Sequence, residues 1–279
     1  MKTVNSLSGG KTSSYIAANY PADYNVFSLV RIEDKNCKFP DEKIRKEVED
    51  RLQMPFIATA EMDDIIYTIF DLEQFIGKKI HWTSGNTFEQ VIRNHGNYLP
   101  NKMARYCTTD LKTMPILHWM YEEIGSPVSM RFGYRANETK RAIKMMDKTD
   151  DDGYTIVKAT FEKRKDGRNK WEEVRYCKPE FPLIDDGLFK DNIEEFWRDK
   201  PVRFAYMNNC VGCHWRTPPL LRHMVKKDPN KMQWFIDQEN KSKGTFKTDI
   251  EYEQIAKWNI QIELFDDDFN ECDSGHCGL

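Results

Sequence analysis

The segment VNSLSGGKTSSYIAANY, residues 4–20, has the residue types of an anion-binding loop. Gly9 and Gly10 carry no Cβ atom, so the backbone there can approach a ligand closely and adopt positive φ angles. A predicted strand over residues 2–7 leads into a helix from about Ser13, and a helix N-terminus offers free N–H groups to phosphate. The loop adds three hydroxyl groups and one ammonium group, those of Ser8, Ser13, Ser14 and Lys11.

This loop is not a Walker phosphate loop. The Walker pattern GxxxxGK[ST] requires a glycine six positions before the lysine, and that position holds Asn5 ahead of Lys11. The segment is therefore either a Gly-Gly turn in front of an ordinary helix or a different loop that also binds phosphate.

A second group of candidate residues lies in RFGYRANETKRA, residues 131–142. Gly133 permits close backbone approach at the end of a predicted central strand. Arg135 and Arg141 can each make bidentate contacts to phosphate oxygens, and Glu138 can position one of them. The alternative is a set of surface ion pairs.

Seven cysteines in a chain without an apparent leader are expected to bind metal, to carry redox chemistry or to pack in the core. Cys210 and Cys213 form a CxxC pair in NNCVGCHWRTPP, and Cys272 and Cys277 form a second pair at the C-terminus. Two close pairs separated by a long insert predict a four-thiolate site for Zn²⁺ or an iron–sulfur cluster. A redox dithiol is the alternative. The remaining expectations are that His214 or His276 replaces a thiolate and that Cys37 and Cys177 are structural.

The elements that would position these residues alternate along the chain. Strands are predicted at 24–32, 54–60 and 126–133, and amphipathic helices at 41–53 and 64–76. Alternating strands and helices predict an α/β fold with a doubly wound, mostly parallel sheet.

The chain divides into three predicted regions. Residues 1–146 form a nucleotide-binding α/β domain, 147–180 a β-hairpin insert turning at Asp166-Gly167, and 181–279 a helical C-terminal region packed on the same domain. The hairpin carries a basic cluster that is either a solvated ribbon or a nucleic-acid contact, formed by Lys163, Arg164, Lys165, Arg168 and Lys170.

Composition limits the functional classes. Hydrophobic residues make up 39% and charged residues 31% of the 279, and the formal net charge is -3, which does not indicate a general nucleic-acid or acidic-membrane binder. The sequence has no apolar run long enough for a signal peptide or a membrane span. A cytoplasmic protein without membrane association is expected.

Five short motifs in order resemble the PAPS reductase (phosphoadenosine phosphosulfate reductase) family, within the adenine-nucleotide α-hydrolase-like superfamily, whose phosphate loop is called the PP-loop. They are SGGKTSS (8–14), FPDE (39–42), RYCTTDLKTMPI (105–116), RFGYRANETKRA (131–142) and PLID (182–185). The resemblance covers about residues 1–225. It implies an α/β enzyme that binds an adenine nucleotide, ATP or a PAPS-like molecule, at the carboxyl ends of a parallel sheet.

The resemblance also implies roles for individual residues. The loop 8–14 would hold phosphates, with Thr12 standing where the family has an aspartate that helps hold Mg²⁺. Lys112 would meet substrate phosphate or sulfate, with Arg105 assisting. Asp41 would lie near the ribose, or simply cap the helix that follows it. Related sulfur-transfer enzymes hold an iron–sulfur cluster with cysteines placed like three of this chain, namely Cys107, Cys210 and Cys213.

Three functions remain open. In the first, the protein activates an acceptor with ATP and releases pyrophosphate, in sulfur transfer or nucleic-acid modification. In the second, it reduces a sulfonucleotide to sulfite with a thioredoxin-type reductant, and Cys277 is the nucleophile because the tail Cys277-Gly278-Leu279 is similar to that of PAPS reductases. In the third, the protein binds the nucleotide without turnover, which the threonine at position 12 favours.

Overall fold

A computed structural model describes residues 1–259 of the protein. The predicted ligands Cys272 and Cys277, and His276 between them, lie outside the described residues. The strands are β1 Thr3–Leu7, β2 Tyr24–Ser28, β3 Arg31–Ile32, β4 Ala58–Thr59, β5 Ile80–Thr83, β6 Val128–Arg131, β7 Ile156–Lys163, β8 Asn169–Arg175 and β9 Cys177–Glu180.

Helices connect and cover these strands. The α-helices are α1 Lys11–Asn19, α2 Glu42–Leu52, α3 Asp64–Ile76, α4 Phe88–Asn94, α5 Tyr106–Thr108, α6 Met114–Glu123, α7 Thr139–Met146, α8 Pro182–Asp185, α9 Lys190–Trp197, α10 Pro218–Lys227, α11 Pro229–Lys241 and α12 Tyr252–Ala256. Two 3₁₀ turns cover Lys35–Cys37 and Ala136–Glu138, and a π-helical turn covers Thr109–Thr113. Among the described residues, no helix is long and apolar enough to cross a membrane.

The central sheet has five strands in the order β5-β2-β1-β6-β9, and every neighbouring pair is parallel. The register places Leu7 beside Phe27 and Asn5 beside Arg131. Parallel neighbours require crossover connections, and helices supply them here. The predicted α/β class with a mostly parallel sheet is confirmed.

Both faces of this sheet are covered. Leu7 and Phe27 pack with Ile16 of α1 and Ile65 of α3 on one face. Val4, Val26 and Met130 pack with Leu117 of α6 and Ala142 of α7 in a second cluster. Because side chains alternate across a strand, a sheet buried on both faces needs apolar residues at odd and even positions, as in the central strands β1 and β2. This is the layering of a doubly wound fold.

The two predicted amphipathic helices are confirmed as α2 and α3, and Gly77 ends α3 with a φ of 60°. The predicted strand at 54–60 is wrong for most of its length. Only Ala58–Thr59 is extended in a ladder, antiparallel to β3 and outside the central sheet. The Phe56 N–H donates instead to the Glu49 carboxylate of α2 at 3.0 Å, so it takes no part in strand pairing.

The predicted hairpin is confirmed as β7 and β8, which pair antiparallel around Asp166-Gly167. Immediately after it, β9 pairs with β6 and forms an edge of the central sheet. The range 147–180 predicted for the insert therefore includes one strand of the main sheet. Pro179 of β9 is compatible with this edge position because an edge strand leaves one row of N–H groups unpaired.

The helices after residue 200 form a third apolar cluster on the same body. Val211, Phe235 and Tyr252 are buried together with Val30 and Leu111 from the first half of the chain. The segment that contains the CxxC motif is thereby fixed against the central domain.

Cys37 and Cys177 are buried, with exposed fractions of 5% and 0%. Burial raises the pKa of each thiol to about 12. Because the thiolate is the reactive form, we expect iodoacetamide at mildly alkaline pH to leave both cysteines unmodified in the folded protein and to label both in denaturant, as measured by peptide mass spectrometry. Labelling of either residue in the folded protein at the rate of an exposed thiol would contradict this assignment.

Candidate functional site

The glycine loop lies between the carboxyl end of β1 and the start of α1. Gly9 has a φ of 75°, and a Cβ atom at this position would lie 2.5 Å from Ile65 Cγ2 of α3. A Cβ atom on Gly10 would overlap the side-chain amide of Asn208. Gly9 is therefore favoured by both its backbone conformation and its packing, whereas a side chain on Gly10 would require Asn208 to move.

The loop hydroxyls brace the turn. Ser8 donates its N–H to Ser13 Oγ at 3.1 Å, and Ser13 Oγ donates to the Gly10 carbonyl at 3.1 Å. Ser14 is fully buried, and its Oγ has no hydrogen-bond partner in the described chain. The predicted phosphate-binding hydroxyls of Ser13 and Ser14 thus lie beneath the loop surface, whereas Ser8 is partly exposed.

The N-terminus of α1 is electrostatically suited to an anion. Gly10 is the N-cap, no side chain caps the helix there, and its first turn contains no acidic residue. The first N–H groups of a helix have no intrahelical acceptor and carry the positive end of the helix dipole. The backbone of the loop is therefore its main anion-binding feature.

Lys11 and Thr12, the loop residues at the start of α1, face neighbouring elements. The Lys11 ammonium forms an ion pair with Glu194 of α9, and Trp197 Nε1 donates to the Lys11 carbonyl at 2.9 Å. The positive charge of Lys11, which was predicted to meet the phosphates, is thus balanced by the Glu194 carboxylate. Thr12 is partly buried and lies against Gly133.

Gly133, in the second predicted segment (residues 131–142), lies against the start of α1. A Cβ atom on Gly133 would lie 3.1 Å from Thr12 Cγ2 and 3.6 Å from the Ser13 backbone nitrogen. Because β1 and β6 are parallel neighbours, the loops after them emerge at the same edge of the sheet. Ligands of open α/β sheets bind at this carboxyl edge.

Two arginines and a glutamate form a network just beyond Gly133. Glu138 accepts hydrogen bonds from the Arg135 N–H and Nε, both at 3.0 Å, and pairs with Arg141. The Arg141 guanidinium also stacks on the Tyr134 ring, 4.2 Å from its centroid. Burial raises the pKa of Tyr134, and the charge of Arg141 opposes that rise. The carboxylate of Glu138 thus contacts both guanidinium groups.

Asp41 acts as a helix cap. Its carboxylate accepts hydrogen bonds from the N–H groups of Lys43 and Ile44 at 2.9 and 3.1 Å, which satisfies the first turn of α2. Two roles were predicted for Asp41, a helix cap and a position near the ribose. The contacts among the described residues are those of the helix cap.

Lys112 lies in the π-helical turn, in the region that leads into α6. Its ammonium contacts the fully buried carboxylate of Glu61 at 2.8 Å. The Leu111 carbonyl accepts a hydrogen bond from Ser28 Oγ at 3.0 Å, which fixes the turn at the carboxyl end of β2. Single-turn π-helices within α-helices often occur at functional sites because the extra residue displaces side chains.

The candidate sulfur ligands line one cleft. Its empty volume is about 480 Å³, counting the solvent at its mouth. Cys107, Cys210 and Cys213 line it together with Lys112 and His214. Aromatic side chains complete the wall, those of Phe88, Trp215, Phe235 and Phe246. The Val211 N–H donates to the Ala60 carbonyl at 2.8 Å, so the CxxC loop lies directly beside Glu61.

Positive charges surround this cleft. Burial, together with the smaller effect of the charges of Arg105, Lys247 and Lys102, lowers the pKa of His214 to about 4. His214 is therefore a neutral imidazole at physiological pH. Its Nε2 atom has no hydrogen-bond partner in residues 1–259.

Arg216 is a functional-site residue that the sequence reasoning missed. It is fully buried, and its guanidinium donates to the carbonyls of Cys210 at 3.2 Å and Asn208 at 2.7 Å. None of the described ion pairs gives it a carboxylate partner. The signal was present as an arginine three residues after the CxxC motif, because buried arginines commonly order loops through several carbonyls at once.

The metal site predicted from four cysteines stays a prediction. Cys210 and Cys213 lie together at the cleft, but Cys272 and Cys277 fall outside residues 1–259. Within that range, no three His, Cys, Asp or Glu side chains are grouped closely enough to hold a metal ion.

The glycine loop and the cysteine cleft are neighbours. Asn208, two residues before Cys210, lies against Gly10. Arg105 is close enough to affect the pKa values of both Tyr134 and His214, where it is a smaller factor than burial. Comparison with protein-family models, curated proteins and solved structures finds no match to this chain, so its function is inferred from these side chains and their geometry.

Gly9 and Gly77 offer a matched test of the loop. Both have positive φ, but only Gly9 has a neighbour within 4 Å of its missing Cβ atom. We expect Gly77→Ala to lower the free energy of unfolding by about 1 kcal/mol, the cost of positive φ, and Gly9→Ala to lower it by at least about twice that amount. Urea unfolding measures both values. Equal losses would contradict the close packing described for Gly9.

Proposed function

We propose that this protein is a PP-loop enzyme of the PAPS reductase family that binds an adenine nucleotide at the carboxyl edge of its sheet. The observation that carries the proposal is the contact between Gly133 and the start of α1. It brings the loop 8–14 and the segment 133–141, two of the motifs that resemble the family, close together at one edge of the sheet. A Gly-Gly turn of purely structural purpose does not account for two phosphate-compatible segments at the same edge.

Each part of this edge has a role in the proposal. The free N–H groups at the start of α1 receive the phosphates, and Arg135 and Arg141 supply planar donor groups for bidentate contacts. Glu138 fixes the orientation of both guanidinium groups before the ligand arrives. Lys11 contributes less to phosphate binding than a free ammonium group would, because it is paired with Glu194.

The reaction that we propose is activation of an acceptor by ATP. A nucleophile on the acceptor attacks the α-phosphorus, a bond from that phosphorus to the acceptor forms, and the α–β phosphoanhydride bond breaks. Pyrophosphate leaves and the acceptor loses a proton. Mg²⁺ would be held mainly by the nucleotide phosphates, because the hydroxyl of Thr12 is a weaker ligand than the aspartate of the family motif.

Arg141 and Lys144 provide a matched pair for nucleotide binding. Both are cations of α7, but Arg141 belongs to the network around Glu138 and Lys144 is exposed. We expect Arg141→Met to weaken ATP binding by roughly tenfold or more, since a charge-assisted contact is lost, and Lys144→Met to change it less than about twofold. Isothermal titration calorimetry measures both affinities. Equal effects of the two substitutions would overturn the assignment of this edge.

Turnover is tested separately with two substrates. Pyrophosphate release from ATP, measured with acceptor pools of nucleic acid and of sulfur compounds, supports the proposed reaction. Sulfite release from PAPS in the presence of thioredoxin would instead establish the reductase alternative. Binding of ATP with neither product would establish a nucleotide-binding protein without turnover. The last two outcomes both overturn ATP-dependent activation.

We also propose that Cys210 and Cys213 are two of four ligands to Zn²⁺ or a [4Fe–4S] cluster, with Cys272 and Cys277 as the other pair. The charges at the cleft support this. Arg216 is a buried cation whose described acceptors are mainly carbonyl oxygens, and thiolates bound to a metal would supply the missing negative charge. Such a group stabilises the fold when its site is closed and carries electrons or sulfur when it is an open cluster.

Metal content tests this site without reference to activity. We expect Cys210→Ala and Cys213→Ala to lose most of the zinc or iron that anaerobically purified wild-type protein contains, and Cys37→Ala to retain it because Cys37 lies in the core. Elemental analysis gives the amounts, and visible absorption distinguishes an iron–sulfur cluster from zinc. Wild-type protein without bound metal, or full retention by both cleft variants, would contradict the proposal.

A further inference from the structure

The β7–β8 ribbon is the part of the molecule that the proposed function leaves unexplained. Every residue from 161 to 173 is exposed. Among the described residues, the ribbon packs on the domain near its base, where Ala159 is fully buried and the Phe161 ring lies 5.0 Å from the His118 ring and 5.1 Å from the Tyr121 ring of α6. The Tyr121 hydroxyl also donates to the Arg175 carbonyl at 2.9 Å. The distal half therefore extends from the domain surface on a fixed base.

The charge of the ribbon is opposite to that of the whole protein. Residues 156–175 contain seven basic and four acidic residues, a net charge of +3, whereas the full chain carries -3. Lys170 and Arg168 form ion pairs within the ribbon. The described ion pairs do not include the three consecutive cations before the turn, Lys163, Arg164 and Lys165.

Large apolar side chains accompany these cations. Trp171 is 58% exposed and Phe161 is 44% exposed. An exposed tryptophan on the same ribbon as three cations outside the described ion pairs is the combination that a binding surface uses.

We propose that the β7–β8 ribbon binds double-stranded DNA, with Lys163, Arg164 and Lys165 on backbone phosphates and Trp171 in apolar contact with the groove. Uncompensated cations complement phosphate charge, and the major groove of B-DNA admits a two-stranded β-ribbon. The deep, narrow major groove of duplex RNA does not. The inference rests on the proposed function in one respect: it names the bound DNA as the acceptor that ATP activates.

The ribbon base is coupled to the candidate site through α6. Tyr121 and Lys112 belong to one continuous helical stretch and are nine residues apart in the sequence, which corresponds to about 14 Å along a helix. DNA held by the ribbon would therefore be positioned relative to the cysteine cleft by a rigid element.

The test compares the full-length protein with three variants on a labelled DNA duplex, by fluorescence anisotropy over a range of salt concentrations. The triple substitution Lys163→Ala, Arg164→Ala and Lys165→Ala should weaken binding by at least about tenfold and reduce the slope of log K against log salt by about three, one unit for each phosphate contact. The matched control removes three exposed lysines elsewhere, Lys35, Lys38 and Lys43, and should leave both quantities nearly unchanged.

Trp171→Ala separates the apolar contact from the charges. It should weaken DNA binding while leaving the salt slope unchanged, because no charge is removed. ATP titration of the two ribbon variants should give the wild-type affinity, since the ribbon residues lie outside the nucleotide edge.

Three outcomes would overturn the proposal: wild-type DNA binding by the triple variant, equal loss in the lysine control, or tighter binding of duplex RNA or single-stranded DNA than of duplex DNA. Failure of the proposed function is distinct. It would appear as ribbon-dependent DNA binding by a protein that does not bind ATP.

Discussion

The close approach of Gly133 to the first turn of α1 is the constraint on which the candidate site depends. The parallel pairing of β1 with β6 places the two loops side by side, and the absence of a Cβ atom at position 133 lets them touch. A Cβ atom there would lie 3.1 Å from Thr12 Cγ2 and 3.6 Å from the Ser13 backbone nitrogen, both at the start of α1. The glycine lets the segment that carries Arg135 and Arg141 approach the start of α1 without displacing the Thr12 side chain.

Charge is distributed unevenly around this contact. The cation expected to dominate the loop, Lys11, forms an ion pair with Glu194, and Arg135 and Arg141 both pair with Glu138. In the proposed function, the backbone dipoles at the start of α1 and the two guanidinium groups would both attract phosphate. On the neighbouring cleft, carbonyl oxygens hold the Arg216 guanidinium in place, and its positive charge lowers the cost of placing thiolates close to it. Nucleotide and sulfur chemistry would thus share one positively charged region.

Sequence reasoning predicted the elements with strong periodicity or clear ends, and it failed where long-range pairing decides the structure. α2 and α3 follow from apolar spacing, and Gly77 marks the end of α3. β9 was not predicted because CKPE has no strand-like pattern and is extended by its pairing with β6. Within the site, the positions of Gly9, Gly10 and Gly133 follow from backbone chemistry. The ion pair of Lys11 with a helix 183 residues away cannot be read from local sequence.

Hydrogen–deuterium exchange with and without ATP tests the central claim, nucleotide binding at the edge shared by β1 and β6, most directly. Bound phosphates would accept hydrogen bonds from amides at the start of α1 and order the segment after Gly133. The account predicts slower exchange in peptides that cover residues 8–14 and 133–141, with no change in the distal β7–β8 ribbon. Protection confined to other parts of the chain, or no protection at saturating ATP, would contradict it.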